Sequence, residues 1–123
     1  QELQFHFWEQ PTLLPVQWEG EIRLIRWGSK NRRSPLPYGP WVSEAEVAAD
    51  GFAFVGAERA VIPANMGHDR GTWFLIEQGI VGVVLTKVPD GPIVYMLTQP
   101  STNYYRNMAG RCESMPVLVG QLI

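Results

Sequence analysis

The chain has 123 residues, with 10 Lys+Arg against 12 Asp+Glu and a formal net charge of −2, which suits one domain and leaves little room for a second. Apolar residues at 46% and charged residues at 18% exclude disorder by composition, and no apolar run approaches the roughly 18 residues of a membrane span. The single cysteine, Cys112, excludes an internal disulfide and a cysteine-rich zinc site, and a cytoplasmic protein is expected.

Ten prolines and twelve glycines interrupt the chain every few residues, so short strands and turns are expected rather than long helices. In segment 3–8, Leu3, Phe5 and Phe7 alternate with Gln4, His6 and Trp8, the period of a half-buried strand. Segment 13–18 contains Pro15 and is expected to pair only at a sheet edge. Glu19-Gly20 reads as a turn into a strand over 21–27. Pro35, Pro37, Gly39 and Pro40 make 28–40 a loop. Ser43 with Glu46 forms a capping box for a short helix over 44–50, stopped by Gly51. Segments 52–56 and 60–62 read as short strands. Segments 72–76 and 80–87 flank Glu77-Gln78-Gly79 as a hairpin, and a second hairpin turns at Pro89-Asp90-Gly91-Pro92 into 93–98. Ser101 or Thr102 caps a second helix ending near Gly110, and 117–119 is a closing strand. Together these elements predict a single α+β domain over residues 1–123, mostly antiparallel β, with a barrel-like mixed sheet of short strands and two short helices.

Charge is near balance overall but uneven along the chain. Between Ile22 and Ser43 stand Arg23, Arg26, Lys30, Arg32 and Arg33 and no acid, with Trp27, Tyr38 and Trp41 interleaved. A groove for single-stranded nucleic acid needs this mixture of cations for phosphates and aromatic faces for bases. A solvated loop whose aromatics pack back onto the sheet has the same composition. His68-Asp69, read as part of a loop after Ile62-Pro63-Ala64-Asn65, offers an imidazole and a carboxylate for proton transfer, or ordinary turn chemistry. Cys112 lies between Arg111 and Glu113, where a cation can favour its thiolate; a lone cysteine also serves as a small buried hydrophobe. The spacing of His6, His68, Asp69 and Cys112 matches no metal motif, so neither metal nor cofactor is expected.

Several phrases occur in a telling order: Pro11-Thr12 with Pro15-Val16, Arg26-Trp27-Gly28, Ala45-Glu46-Val47, Ile62-Pro63-Ala64-Asn65, Trp73-Phe74 and Met115-Pro116-Val117-Leu118. Over residues 11–119 this pattern resembles the SOS response-associated peptidase (SRAP) family, whose phrases are Pro-Thr-Gln-x-x-Pro-Val, Arg-Trp-Gly, Asn-Ala-Arg-Ala-Glu, Ile-Pro-Ala-x-Gly-Phe-Tyr-Glu-Trp and His-x-Arg-Met-Pro-Val. The resemblance implies a DNA-damage-response protein that binds single-stranded DNA and captures abasic sites. In that family the amine and thiol of an N-terminal cysteine attack the sugar aldehyde to form a thiazolidine cross-link. A Glu and a His assist proton transfer, and an Asn positions the cysteine. The same cysteine is taken to process its own N-terminus, hence the peptidase label.

Carried onto this sequence, the resemblance puts Val42 where the family has Asn, Asp69 where it has the catalytic Glu, Cys112 where it has His and Ser114 where it has Arg. Gln1 stands first, so cross-linking and self-processing are expected only where the native N-terminus carries a cysteine. The expected cleft has Arg26, Trp27, Lys30, Arg32 and Arg33 as nucleic-acid-binding residues on one side. His68, Asp69 and Cys112 stand as catalytic candidates on the other, with Asp69 as general acid/base. The expected partner is single-stranded DNA, abasic where chemistry survives, and not a membrane. Two other readings stand beside it: a degenerate domain that binds nucleic acid or protein without chemistry, and an unrelated small β-rich accessory protein of phage type.

Overall fold

The Glu19-Gly20 turn sets the first strand pairing. Both residues have positive φ, 54° and 78°, the two-residue geometry whose twist matches that of the flanking strands. It joins β1 (Leu13–Trp18) to β2 (Glu21–Trp27) as an antiparallel pair, in register from Trp18↔Glu21 to Leu13↔Arg26. The structure is a computed structural model that describes residues 7, 13–33, 35–48, 56–64, 66–69, 72–76, 79–88, 91–101 and 114–119, with backbone alone for 66–69 and 72–75. Among them follow β3 (Trp41–Ser43), α1 (Glu44–Ala48), β4 (Glu58–Ile62), β5 (Met66–Asp69), β6 (Thr72–Leu75), β7 (Ile80–Leu85), β8 (Ile93–Pro100) and β9 (Ser114–Pro116).

Five of these strands close into a mixed barrel: the order β2-β1-β4-β7-β8 returns to β2 through a parallel pairing, Arg26↔Ile93 and Trp27↔Val94. Beyond the barrel β8 carries β3 in parallel on one side and β9 antiparallel on the other. β5 and β6 form a separate two-stranded antiparallel sheet. The domain is α+β and mostly β, as its short apolar segments predict.

Alternation along the strands creates two apolar layers. Leu14, Val16 and Trp18 of β1, Ile25 and Trp27 of β2, and Val84, Val94 and Met96 of β7 and β8 belong to the first cluster, with Phe7. Val83, Leu85, Ile93, Tyr95 and Leu97 project from the opposite face of β7 and β8 and join Val42, with Leu36 and Val47 packed over them. Full burial of each such aliphatic side chain contributes about 1.5–3 kcal/mol. Capping then holds α1 at the end of β3. Ser43 N–H donates to Glu46 Oε1 at 3.1 Å, and Glu46 N–H donates to Ser43 Oγ at 3.0 Å, the reciprocal bonds of the expected capping box.

Four expectations are corrected. β1 as a whole is not an edge strand, because it has β2 on one side and β4 on the other, but pairing with β4 is confined to Gln17↔Val61, so at Pro15 itself only the β2 side is paired and the proline interrupts no rung. Gly56, the last residue of the expected 52–56 strand, is a turn residue with φ of 75°, while 52–55 lie outside the described residues, and β4 starts at Glu58. Segments 72–76 and 80–87 do not form a hairpin, since β6 pairs with β5 while β7 pairs with β4 and β8. The Asp69↔Thr72 register leaves only Arg70-Gly71 between β5 and β6, and the shorter connection has the smaller closure cost. The closing strand is β9, ahead of 117–119, where Val117 and Val119 instead bond individually to β7 and Gly79. The second expected helix over 101–110 lies outside the described residues from 102 on, as does the 3–8 strand apart from Phe7.

Candidate nucleic-acid interface

The segment from β2 to β3 is fastened to β8 and to itself at several points. Gly28 N–H donates to Val94 O at 2.8 Å, and Ser29 and Gly39 exchange backbone hydrogen bonds of 3.2 and 2.7 Å. Gly28 has φ of 63°, and a Cβ there would land on the Gly39 carbonyl oxygen, so the Gly of Arg26-Trp27-Gly28 is dictated by this close crossing. Across the loop, Tyr95 Oη–H donates to Pro37 O at 2.7 Å and Met96 N–H to Pro40 O at 3.0 Å.

On this frame the cations divide. Arg23 lies 3.0 Å from Glu21 and 3.6 Å from Glu19, with its guanidinium carbon 5.1 Å from the Trp18 ring centre. Arg26 donates from Nη2 to Gly91 O at 2.8 Å. Lys30 Nζ sits 5.2 Å from the Phe7 ring centre. Arg32 stacks over Tyr38, its Cζ 4.1 Å from the ring centre, with both residues exposed. Arg33 is exposed, its N–H accepted by Asn31 Oδ1 at 3.0 Å in a local turn.

Trp27 is core. It is 8% exposed, meets Phe7 edge-on with ring centres 5.5 Å apart, and donates Nε1–H to Pro40 O at 3.3 Å. It offers no face on which a base could stack. The exposed aromatics of the segment are Tyr38 at 39% and Trp41 at 38%. The signal for this was in the strand itself: Trp27 shares parity with the inward Ile25, whereas Tyr38 and Trp41 fall beyond β2.

His68 and Asp69 are on β5 rather than in a loop, opposite Trp73 and Thr72 of β6. Adjacent strand positions belong to opposite faces, so the strand does not bring positions 68 and 69 together on one face. Cys112 lies outside the described residues. Val42, at the place of the family's Asn, is 2% exposed within the outer apolar cluster. Among the described residues no three His, Cys, Asp or Glu gather as metal ligands would, and no helix is long and apolar enough to cross a membrane.

The surface around residues 30–41 thus combines Lys30, Arg32 and Arg33 with two exposed rings on a pinned loop. Comparison with known proteins adds no relative: no family model, no curated protein and no solved structure matches the chain.

Proposed function

We propose that this chain is a divergent SRAP-like protein that binds single-stranded DNA across the 30–41 loop and recognises abasic sites. The observation that carries the binding half is the exposed stack of Arg32 on Tyr38, with Trp41 exposed and Lys30 and Arg33 in the same loop. Such a surface offers cations to phosphates and rings to bases. The abasic half rests on the ordered phrases of the sequence alone. In this reading Asp69 acts as general acid/base, Cys112 stands at the family's His position, and His68, at a β5 position of the opposite face, does not share the proton transfer with Asp69; cross-linking and self-processing require a native N-terminal cysteine. A cytoplasmic DNA-damage-response role follows from it, whereas a phage-related role belongs to the reading in which the chain is an unrelated accessory protein.

A second reading, a binding domain without chemistry, is favoured by Val42. A buried valine at the asparagine position supplies no polar group to orient a nucleophile.

Fluorescence anisotropy with a single-stranded oligonucleotide tests the binding. Three phosphate-contacting cations give a log K against log salt slope of about −2, and Arg32→Glu with Arg33→Glu reduces it to about −0.7 with loss of most affinity at low salt. Absence of binding at low salt, or indifference to the double substitution, overturns the reading. A denaturing gel with an abasic oligonucleotide and protein expressed from its native start separates the two forms: a surviving shifted band supports cross-linking, and its absence with binding retained supports the second reading.

A further inference from the structure

Among the described residues, the half of β2 farthest from β8 carries an unpaired edge. β8 meets β2 only at Arg26↔Ile93 and Trp27↔Val94, and no strand among the described residues pairs with 21–25 on that side. The hairpin turn decides which backbone groups face outward there. A two-residue turn with both φ positive makes its flanking residues, Trp18 and Glu21, a hydrogen-bonded pair. Alternation then directs the N–H and C=O of Glu21 and Arg23 toward β1, and those of Ile22 and Leu24 away from it. The far end of the strand agrees: Gly28, of the same parity, donates its N–H to Val94 O on the β8 side.

The side chains of those two residues are exposed as well, Ile22 at 65% and Leu24 at 67%. An edge with open hydrogen-bonding groups and alternating apolar side chains is a template for another strand.

We propose that this edge pairs antiparallel with β2 of a second copy of the chain, about a twofold axis at Ile22. Charge selects both the partner and the register. With Ile22 opposite Ile22 of the second copy, each Glu21 lies opposite an Arg23 and each Arg23 opposite a Glu21, so the ion pair that Arg23 makes with its own Glu21 is extended across the seam into a four-charge cluster that stabilises the ladder. Each Leu24 then sits diagonal to Ile22 of the other copy. A twofold axis at Arg23 would instead set two arginines against each other. An axis at Leu24 would require Arg26, whose strand position is already paired with β8. The contact is isologous and closes at two copies.

Sedimentation across a concentration series reads the assembly directly. The native chain passes from one-chain to two-chain mass as concentration rises, and Ile22→Asp, which opposes two carboxylates on the axis, holds it at one-chain mass. Glu21→Arg alone or Arg23→Glu alone raises the dissociation constant about tenfold, and the two together restore it to within about threefold. In a Cys112→Ser background, Ile22→Cys forms a disulfide between copies under mild oxidation, because paired residues of this type have Cα atoms about 5.5 Å apart. Leu24→Cys does not. These positions are exposed, and a cooperative thermal transition in each variant, at the midpoint the native chain shows when diluted to one-chain mass, shows that it is folded. One-chain mass throughout, a dimer indifferent to the charge reversals, equal cross-linking from Leu24→Cys, or pairing of the edge with a different polypeptide while the pure chain stays single overturns the proposal.

Discussion

Tyr95 joins the outer apolar layer to the loop of the candidate interface. Its side chain is fully buried, and its hydroxyl donates to Pro37 O at 2.7 Å. Burial pushes the hydroxyl's pKa up from 10.0 to about 12, with the charge of Arg26 acting in the opposite direction. The consequence for stability has a definite sign. Below pH 10 the tyrosine is neutral in both folded and unfolded chains, and its contribution is fully present. Between about pH 10 and 12 the unfolded chain releases the proton while the folded chain retains it, so stability falls as pH rises. Tyr95→Phe loses the hydrogen bond and leaves the Pro37 carbonyl without that donor, which costs about 1–2 kcal/mol at neutral pH. The same variant shows a shallower decline from pH 10 to 12. Urea titrations of both proteins at several pH values measure the difference; parallel declines would place the alkaline sensitivity in other groups.

Among the elements, α1 has the most local origin. It is five residues long and contributes no fully buried side chain, too short to be held by its own backbone bonds. Ser43 and Glu46 therefore carry much of its definition. Ser43→Ala removes both bonds made by the hydroxyl and costs about 1 kcal/mol. Amide exchange in 44–48 accelerates while exchange in β7 and β8 is unchanged, which hydrogen–deuterium exchange resolves by segment. That capping box was legible in the sequence because both partners lie within three residues. The Glu19-Gly20 turn and the span of β2 were legible for the same reason. The β6–β7 hairpin was misread because strand partners are chosen by closure and burial across the whole chain, which a three-residue spacer does not encode. β5 escaped notice because Met66-Gly67-His68-Asp69 has weak strand propensity and depends on pairing with β6. At the site, clustering of the cations was visible, but the division between Trp27 inside and Tyr38 and Trp41 outside depended on following the parity of β2 to its last residue.

At the scale of the molecule, β8 is shared by both apolar layers. Val94 and Met96 belong to one cluster, while Ile93, Tyr95 and Leu97 belong to the other. The candidate interface rests on the second, where Leu36 packs against the cluster from within the loop. This gives the two layers separable roles. Leu36→Ala removes the loop's apolar anchor at a cost of about 1 kcal/mol, because Leu36 is only half-buried. The loop then samples more conformations before binding, and oligonucleotide affinity drops by about threefold to tenfold although Leu36 carries no charge or ring for the ligand. Val84, completely buried in the other cluster, is the matching control. Val84→Ala costs about 2 kcal/mol of global stability through lost burial and the cavity it leaves. Well below its melting temperature, however, its affinity stays at the wild-type value. Anisotropy titrations paired with amide exchange over 29–40 separate the cases. Faster exchange with weaker binding in Leu36→Ala alone ties recognition to an ordered loop, whereas equal affinity in both variants would show that the loop's order contributes nothing to binding.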